Sequence, residues 1–196
     1  MNAGKTPKGV KTKDRIVESA IKLMNAKGIA RTTLVEVCAA SGVAQGTFYH
    51  YFKSINDILY EILRIEGEEL LFFYEIIIDN SPLEKLNKVL NFQMDYYEKK
   101  GKAVVAQILG NEFIPLQGDS LIEKLLPIRA FVSGIISEGQ ETGVFSDRNS
   151  AEKDSIVLMA LILTYSYMWI RDKTDNPLKE IAGSHINDII EQLILK

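Results

Sequence analysis

The sequence predicts an all-α fold, a small N-terminal three-helix domain joined by a long helix to a larger helical domain. Three observations carry this. Apolar residues recur at helical spacing along most of the 196 residues, and no segment alternates with period two between turn signals. Helix-starting residues and glycine or proline stops punctuate the chain in regular order. Finally, 46% of residues are apolar, enough to fill a buried core at this length.

Taken in order, Ile16, Val17, Ala20, Ile21 and Met24 form one stripe of a first helix from Lys13 to Ala26, which Gly28 ends. The residues before it, Met1 to Lys11, are basic and have no apolar stretch behind them. They read as a loose cationic arm rather than a secretory signal. Thr33, with Glu36 three residues later in capping-box position, opens a short second helix, Leu34 to Ala40, closed by Ser41-Gly42. Gln45 to Phe52 forms a third. Ser54 and Asp57 cap a fourth that runs to about Ile78, with Ile55, Ile58, Leu59, Ile62 and Leu63 on one side. This division gives domains of 1–54 and 55–196. Ser81-Pro82 opens the next helix and Gly101 closes it. Further helices cover about 102–115, 119–142, 150–172 and 177–195, with Pro127 expected to kink or split the second of these.

Charge is distributed unevenly. Residues 1–55 carry nine Lys or Arg against three Asp or Glu, a net of +6, whereas the rest of the chain is −9. A basic end on an acidic protein suits contact with a polyanion, because phosphate contacts supply most non-specific affinity for nucleic acid. A solvated lysine-rich tail is the alternative. The single cysteine, Cys38, has apolar neighbours and reads as a small core residue. Two histidines, His50 and His185, make no zinc-site spacing, and no metal or cofactor is expected. The longest uncharged run, Ser155 to Ile170, is shorter than the roughly 20 residues of a membrane-spanning helix and reads as a buried one. These features point to the cytoplasm, with no membrane partner.

The most informative segment is Thr32 to Lys53, where two short helices flank a tight turn at Ser41-Gly42-Val43-Ala44, the spacing of a helix-turn-helix. Leu34, Val37, Cys38, Val43, Phe48 and Phe52 can be buried together. That leaves Gln45, Gly46, Thr47, Tyr49, His50 and Tyr51 on the outer face, uncharged, polar and aromatic, a composition suited to a major groove. Packing of Tyr49 and Tyr51 on the fourth helix, and a merely solvated His50, are the structural alternatives.

This block resembles the DNA-binding domain of the TetR family of regulators, whose pattern runs Gly-Val-Ser-x-Gly-Thr-Leu-Tyr-x-x-Phe-x-Ser-Lys. The likeness covers about residues 13–63 without a gap between Ile16 and Ile58. It implies that Thr33 and Tyr49 hold phosphates and that Gln45, Thr47 and His50 face bases. It also implies that Gly46 admits close backbone approach and that Tyr51 stands where many members carry a phosphate-contacting histidine. Lys53 would lie beside the DNA backbone. Two positions depart from the pattern. Ala44 replaces the usual Ser or Thr cap of the recognition helix, a change that costs about 1 kcal/mol of helix stability if nothing substitutes. Ile55 replaces a common phosphate-binding lysine. Beyond this block the resemblance rests on length, helix content and the phrase Glu138 to Phe145, which looks like the end of the family's seventh helix.

For the larger domain the resemblance implies a small-molecule effector held among helices five to seven. Residues 64–142 supply the material for a mostly apolar cavity: Phe72, Phe73, Tyr74, Phe92, Tyr96 and Phe131, with Gln93, Gln107 and Asn111 as orienting polar groups. Core packing is the alternative for each. The helix around Ser155 to Ile170 is apolar nearly all round and so needs two buried faces. With the final helix it would meet a second copy in a four-helix bundle through Met159, Leu161, Ile162, Tyr165, Ile186 and Ile190. The sequence thus points to a homodimer on double-stranded operator DNA, a repressor released by a small, largely apolar ligand of unidentified structure. A dimeric DNA-binding protein with no effector is the second reading. A helical enzyme is the third, although no Ser-His-Asp arrangement, phosphate loop or nucleotide fingerprint appears and no catalytic residue is assigned.

Overall fold

The computed structural model describes residues 7–113 and 121–194, with the side chains of that set apart from 7–8, 66, 111–113, 121–127 and 193–194. Among the described residues there are nine α-helices and no strand: α1 (Pro7–Lys27), α2 (Leu34–Ser41), α3 (Gln45–Tyr51), α4 (Ile55–Ile77), α5 (Pro82–Lys100), α6 (Lys102–Phe113), α7 (Leu121–Glu141), α8 (Ala151–Arg171) and α9 (Leu178–Ile189). A 3-10 turn, Ile29–Arg31, precedes α2, and a π turn, Ile190–Ile194, continues α9.

The sequence boundaries hold to within a few residues except at the N-terminus. The helix begins at Pro7, so Lys8 and Lys11, expected in a loose arm, belong to α1; residues 1–6 lie outside the described residues. Proline is at home in a first helical position, where its missing N–H would have had no partner. Of the two outcomes expected at Pro127, a kink or a split, the split does not occur. The helix runs from Leu121 to Glu141 without a break. Its buried row of Ile128, Val132, Ile135 and Ile136 supplies the tertiary packing that outweighs one lost backbone bond.

The chain forms two compact units that do not divide at residue 54. One comprises Met1–Glu66 with Lys100–Gly110, the other Gly67–Lys99 with Asn111–Lys196. The start of α4 belongs with the first three helices because Ile58, Leu59 and Ile62 are buried alongside Ile16, Ala20, Met24, Val37, Phe48 and Phe52. A buried carboxylate reinforces this interior. Glu61 is paired with Lys13 of α1 at 2.7 Å and with Arg64 at 2.6 Å. Burial pushes the Glu61 carboxyl up, but the hydrogen bonds and charges of Arg64 and Lys13 outweigh it, so its pKa is lowered.

In the second unit α7 packs on α8 and α8 on α9. Lys85, nearly buried in α5, is held by both oxygens of Glu138 in α7 at 2.8 Å. The end of α7 is closed by a tight turn in which the Gly139 carbonyl accepts the N–H groups of Val144 and Phe145. A Cβ on Gly139 would stand 2.0 Å from the Phe145 ring, which is fully buried. Gly139→Ala should therefore destabilise the protein by about 1–3 kcal/mol despite the better helix propensity of alanine, seen as a lower denaturation midpoint. An unchanged midpoint would show that the turn repacks freely.

Candidate nucleic-acid interface

The site begins with a cap. The Thr33 hydroxyl accepts the Glu36 N–H, and the Glu36 carboxylate accepts in return from the Thr33 N–H at 3.0 Å and from its hydroxyl at 2.6 Å. Glu36 also pairs with Lys27. The bond from Lys27, then those from Thr33, hold the Glu36 carboxyl down to about 2. Helix α2 ends at Gly42, whose φ of 66° is the left-handed conformation glycine adopts without strain. Its N–H and that of Val43 satisfy the last carbonyls of α2, and the Ser41 hydroxyl donates to the Val37 carbonyl at 2.6 Å.

This turn aims α3. Phe48 is fully buried, with the Phe52 ring 5.7 Å away, also buried. The helical period then sets Gln45, Gly46, Thr47, Tyr49 and His50 outward, all exposed, with Tyr49 at 58%. Tyr51 is half-buried, edge-on to His50 at 5.1 Å. Nothing lies within 4 Å of a Cβ built on Gly46, so the fold does not itself require glycine there. Lys53 is exposed, and its N–H donates to Asp57 at 2.7 Å in the cap of α4. Lys13 lies over the Phe52 ring at 5.7 Å.

Thr33 differs in setting from the others. Its hydroxyl is already engaged by a carboxylate, so an approaching phosphate would meet Glu36 and its partner Lys27 together. Cys38 is buried in the same core, and burial pushes its thiol up.

The candidate ligand residues scatter. Phe92 stacks between Phe73 at 4.9 Å and Tyr96 at 6.3 Å, and Gln93 and Tyr96 are buried. Phe131 lies 4.4 Å from Tyr74. Phe72, expected in an interior cavity, is 66% exposed, because it sits on the opposite side of α4 from the buried Leu70 and Ile77. Gln107 belongs to the first unit, not to the unit that holds Phe92 and Phe131. The side chain of Asn111 lies outside the described residues. Sequence reasoning missed a cleft of about 340 Å³ lined by Leu83, Asn87 and Asn91 of α5 with Asn187, Ile190 and Glu191 at the end of α9. Three dispersed asparagines carry no local signal that would reveal it.

The candidate dimer residues need correction too. Met159, Ile162, Ile186 and Ile190 are buried within the chain, because they lie on the sides of α8 and α9 that face their own neighbours. The uncovered side of α8 is instead Ile156, Val157, Ala160, Thr164, Tyr167 and Met168, with Leu161 and Tyr165 half-buried at its edge. Tyr165 stacks on His185 of α9 at 5.6 Å.

Among known proteins, residues 16–62 match the family model of bacterial regulatory proteins, tetR family. The chain is 29% identical over 153 residues to an HTH-type transcriptional regulator, YerO, of Bacillus subtilis (strain 168), covering 78% of this chain and 46% of that protein. It spans about half the length of the curated relatives it matches. Among solved structures, it resembles a transcriptional regulator from Saccharomonospora viridis in complex with choline, with a TM-score of 0.79 and 22% identity, covering 95% of this chain and 99% of that one. It also resembles the regulator FadR from Bacillus subtilis in complex with stearoyl-CoA, with a TM-score of 0.72 and 19% identity, covering 91% and 97%. Those two likenesses establish the fold. No helix among the described residues is long and apolar enough to cross a membrane.

The cap of α3 yields a direct test. Ala44 occupies the cap position with no side-chain bond. Ala44→Ser should therefore raise stability by about 0.5–1 kcal/mol in chemical denaturation. A neutral or destabilising result would show that the orphan N–H groups of α3 are already satisfied.

Proposed function

We propose that this chain, which belongs to the TetR family of bacterial regulators through its residues 16–62, is a dimeric transcriptional repressor that acts in the cytoplasm on double-stranded operator DNA. The observation that carries the reading is the setting of α3. Its buried side is fixed by Phe48, and its exposed side is uncharged, polar and aromatic, on the basic end of an acidic chain. Gln45, Thr47 and His50 read base edges. Tyr49, Tyr51 and Lys53 hold the phosphate backbone, and Gly46 admits it closely. Thr33 contributes through its N-terminal position on α2, with Lys27 offsetting the charge of Glu36.

The test is retention of the DNA that flanks the chain's own gene. Gln45→Ala and Thr47→Ala should relax preference at particular base pairs by roughly 1–3 kcal/mol. Tyr49→Phe and Lys53→Ala should weaken all sequences alike, and Lys53→Ala should lower the salt slope by about one. Uniform loss from all four variants would displace the reading face from α3.

Two copies are needed to present two recognition helices. The uncovered apolar side of α8, centred on Val157, Ala160, Thr164 and Met168 and continued by Leu161 and Ile181, supplies the contact. Val157→Glu with Met168→Glu should give a folded monomer in sedimentation. A persistent dimer would place the contact on another face.

The effector of this reading is a small, largely apolar molecule held in the second unit, where Phe73, Phe92 and Tyr96 stack and Gln93 is buried. The acyl-CoA and choline complexes of the structural neighbours support a ligand-bearing role for this fold. Helix α4 runs unbroken from one unit into the other, a length of about 35 Å. Ligand releases DNA by the difference between its affinities for the DNA-competent and DNA-incompetent states, and operator must weaken ligand by the same factor.

A further inference from the structure

We infer that Asn25 is a positioning residue that ties the corner between α5 and α6 to α1, so that the DNA-binding unit senses the state of α6 through one side chain. The inference rests on the regulator reading above and adds a coupling residue to it.

The physical need arises at the corner itself. The last carbonyls of α5 and the first N–H groups of α6 have no partner within their own helices. Asn25, near the end of α1, supplies one of each. Its Nδ2 donates to the Lys100 carbonyl at 2.6 Å, and its Oδ1 accepts the Ala103 N–H at 3.3 Å. A side-chain amide offers a donor and an acceptor in one plane. Alanine offers neither, and aspartate would turn a lone pair on the Lys100 carbonyl.

Gly101, between the two bonded residues, has a φ of 87°, and a Cβ built on it would stand 2.5 Å from Asn25 Oδ1. Gly46, Gly67, Gly110, Gly134 and Gly183 have nothing within 4 Å of such a Cβ. The corner is therefore shaped to the amide as closely as the amide is placed on the corner.

Chain order makes the contact consequential. The chain returns to the first unit at Lys100 and leaves it again after Gly110, so α6 has residues in both units. A rearrangement of α6 must carry Asn25 with it or break its two bonds. Asn25 is exposed, so water can replace those bonds, which suits a joint made in one state and released in another. Two residues on, Lys27 pairs with the Glu36 that caps α2. A shift at the end of α1 is thus delivered to the start of the helix-turn-helix.

The experiment is hydrogen exchange on the full-length protein, with and without a saturating duplex from the region flanking its own gene, for wild type, Asn25→Ala and Gly101→Ala. In wild type the duplex should slow exchange several-fold in α2 and α3 and also over residues 102–108. In Asn25→Ala the duplex should still bind and protect α2 and α3, while its effect on 102–108 disappears. Gly101→Ala, which displaces the amide without deleting it, should do the same and serves if Asn25→Ala does not fold. A merely structural role would speed exchange at the corner equally with and without duplex and preserve the DNA-dependent difference, which overturns the inference. So does a bound wild type with no change over 102–108. A duplex that wild type does not shift in a gel overturns the regulator reading first, and the inference with it.

Discussion

The structure depends first on the burial of Phe48. Helix α3 has seven residues, too few to be stable in water alone, and its cap position holds an alanine. It exists because Phe48, with Phe52 behind it, fills the interior shared with Ile16, Met24, Val37 and Ile58. The same burial fixes which residues face out. A one-residue slip would rotate the helix by about 100° and drive polar side chains into that interior, so the exposed face is specified by packing rather than by its own residues.

Electrostatics then hold the frame rather than the face. Lys13 of α1 is committed to Glu61 and lies over Phe52; Lys27 is committed to Glu36. Their charges remain in the field of the basic end, but their geometry is structural. The exposed Lys53, beside the start of α4, has its backbone in the cap of that helix and its side chain in solvent. The division explains how an N-terminal region with a net charge of +6 over residues 1–55 presents an exposed helix, α3, with no formal charge. Under the proposed function, positive potential comes from the surround, and discrimination from hydroxyls, amides and rings.

Most of the fold was legible because its signals are local. The Thr33–Glu36 and Ser54–Asp57 caps each lie within four residues and form as their spacing implies, and α5 opens at Ser81-Pro82 as expected. The outward side of α3 was legible for the same reason, since Phe48 and Phe52 mark the inside of a short helix. What could not be read is non-local. Helix α8 is apolar nearly all round, so its sequence cannot say which side its own subunit covers, and Met159 and Ile162 lie on the covered side. Phe72 shows the converse failure, an aromatic residue at helical spacing that faces solvent. The bond from Asn25 to Lys100 spans 75 residues, and a lone asparagine near a helix end gives no hint of it.

The central claim is that two copies of the chain each set an α3 into the major groove on one face of the duplex. Hydroxyl-radical footprinting of the DNA flanking the chain's own gene tests it most directly. The account predicts two protected clusters on one face, related by a dyad and centred roughly 34–36 Å apart or a multiple of that spacing. A single cluster, or even protection along the whole fragment, would contradict it.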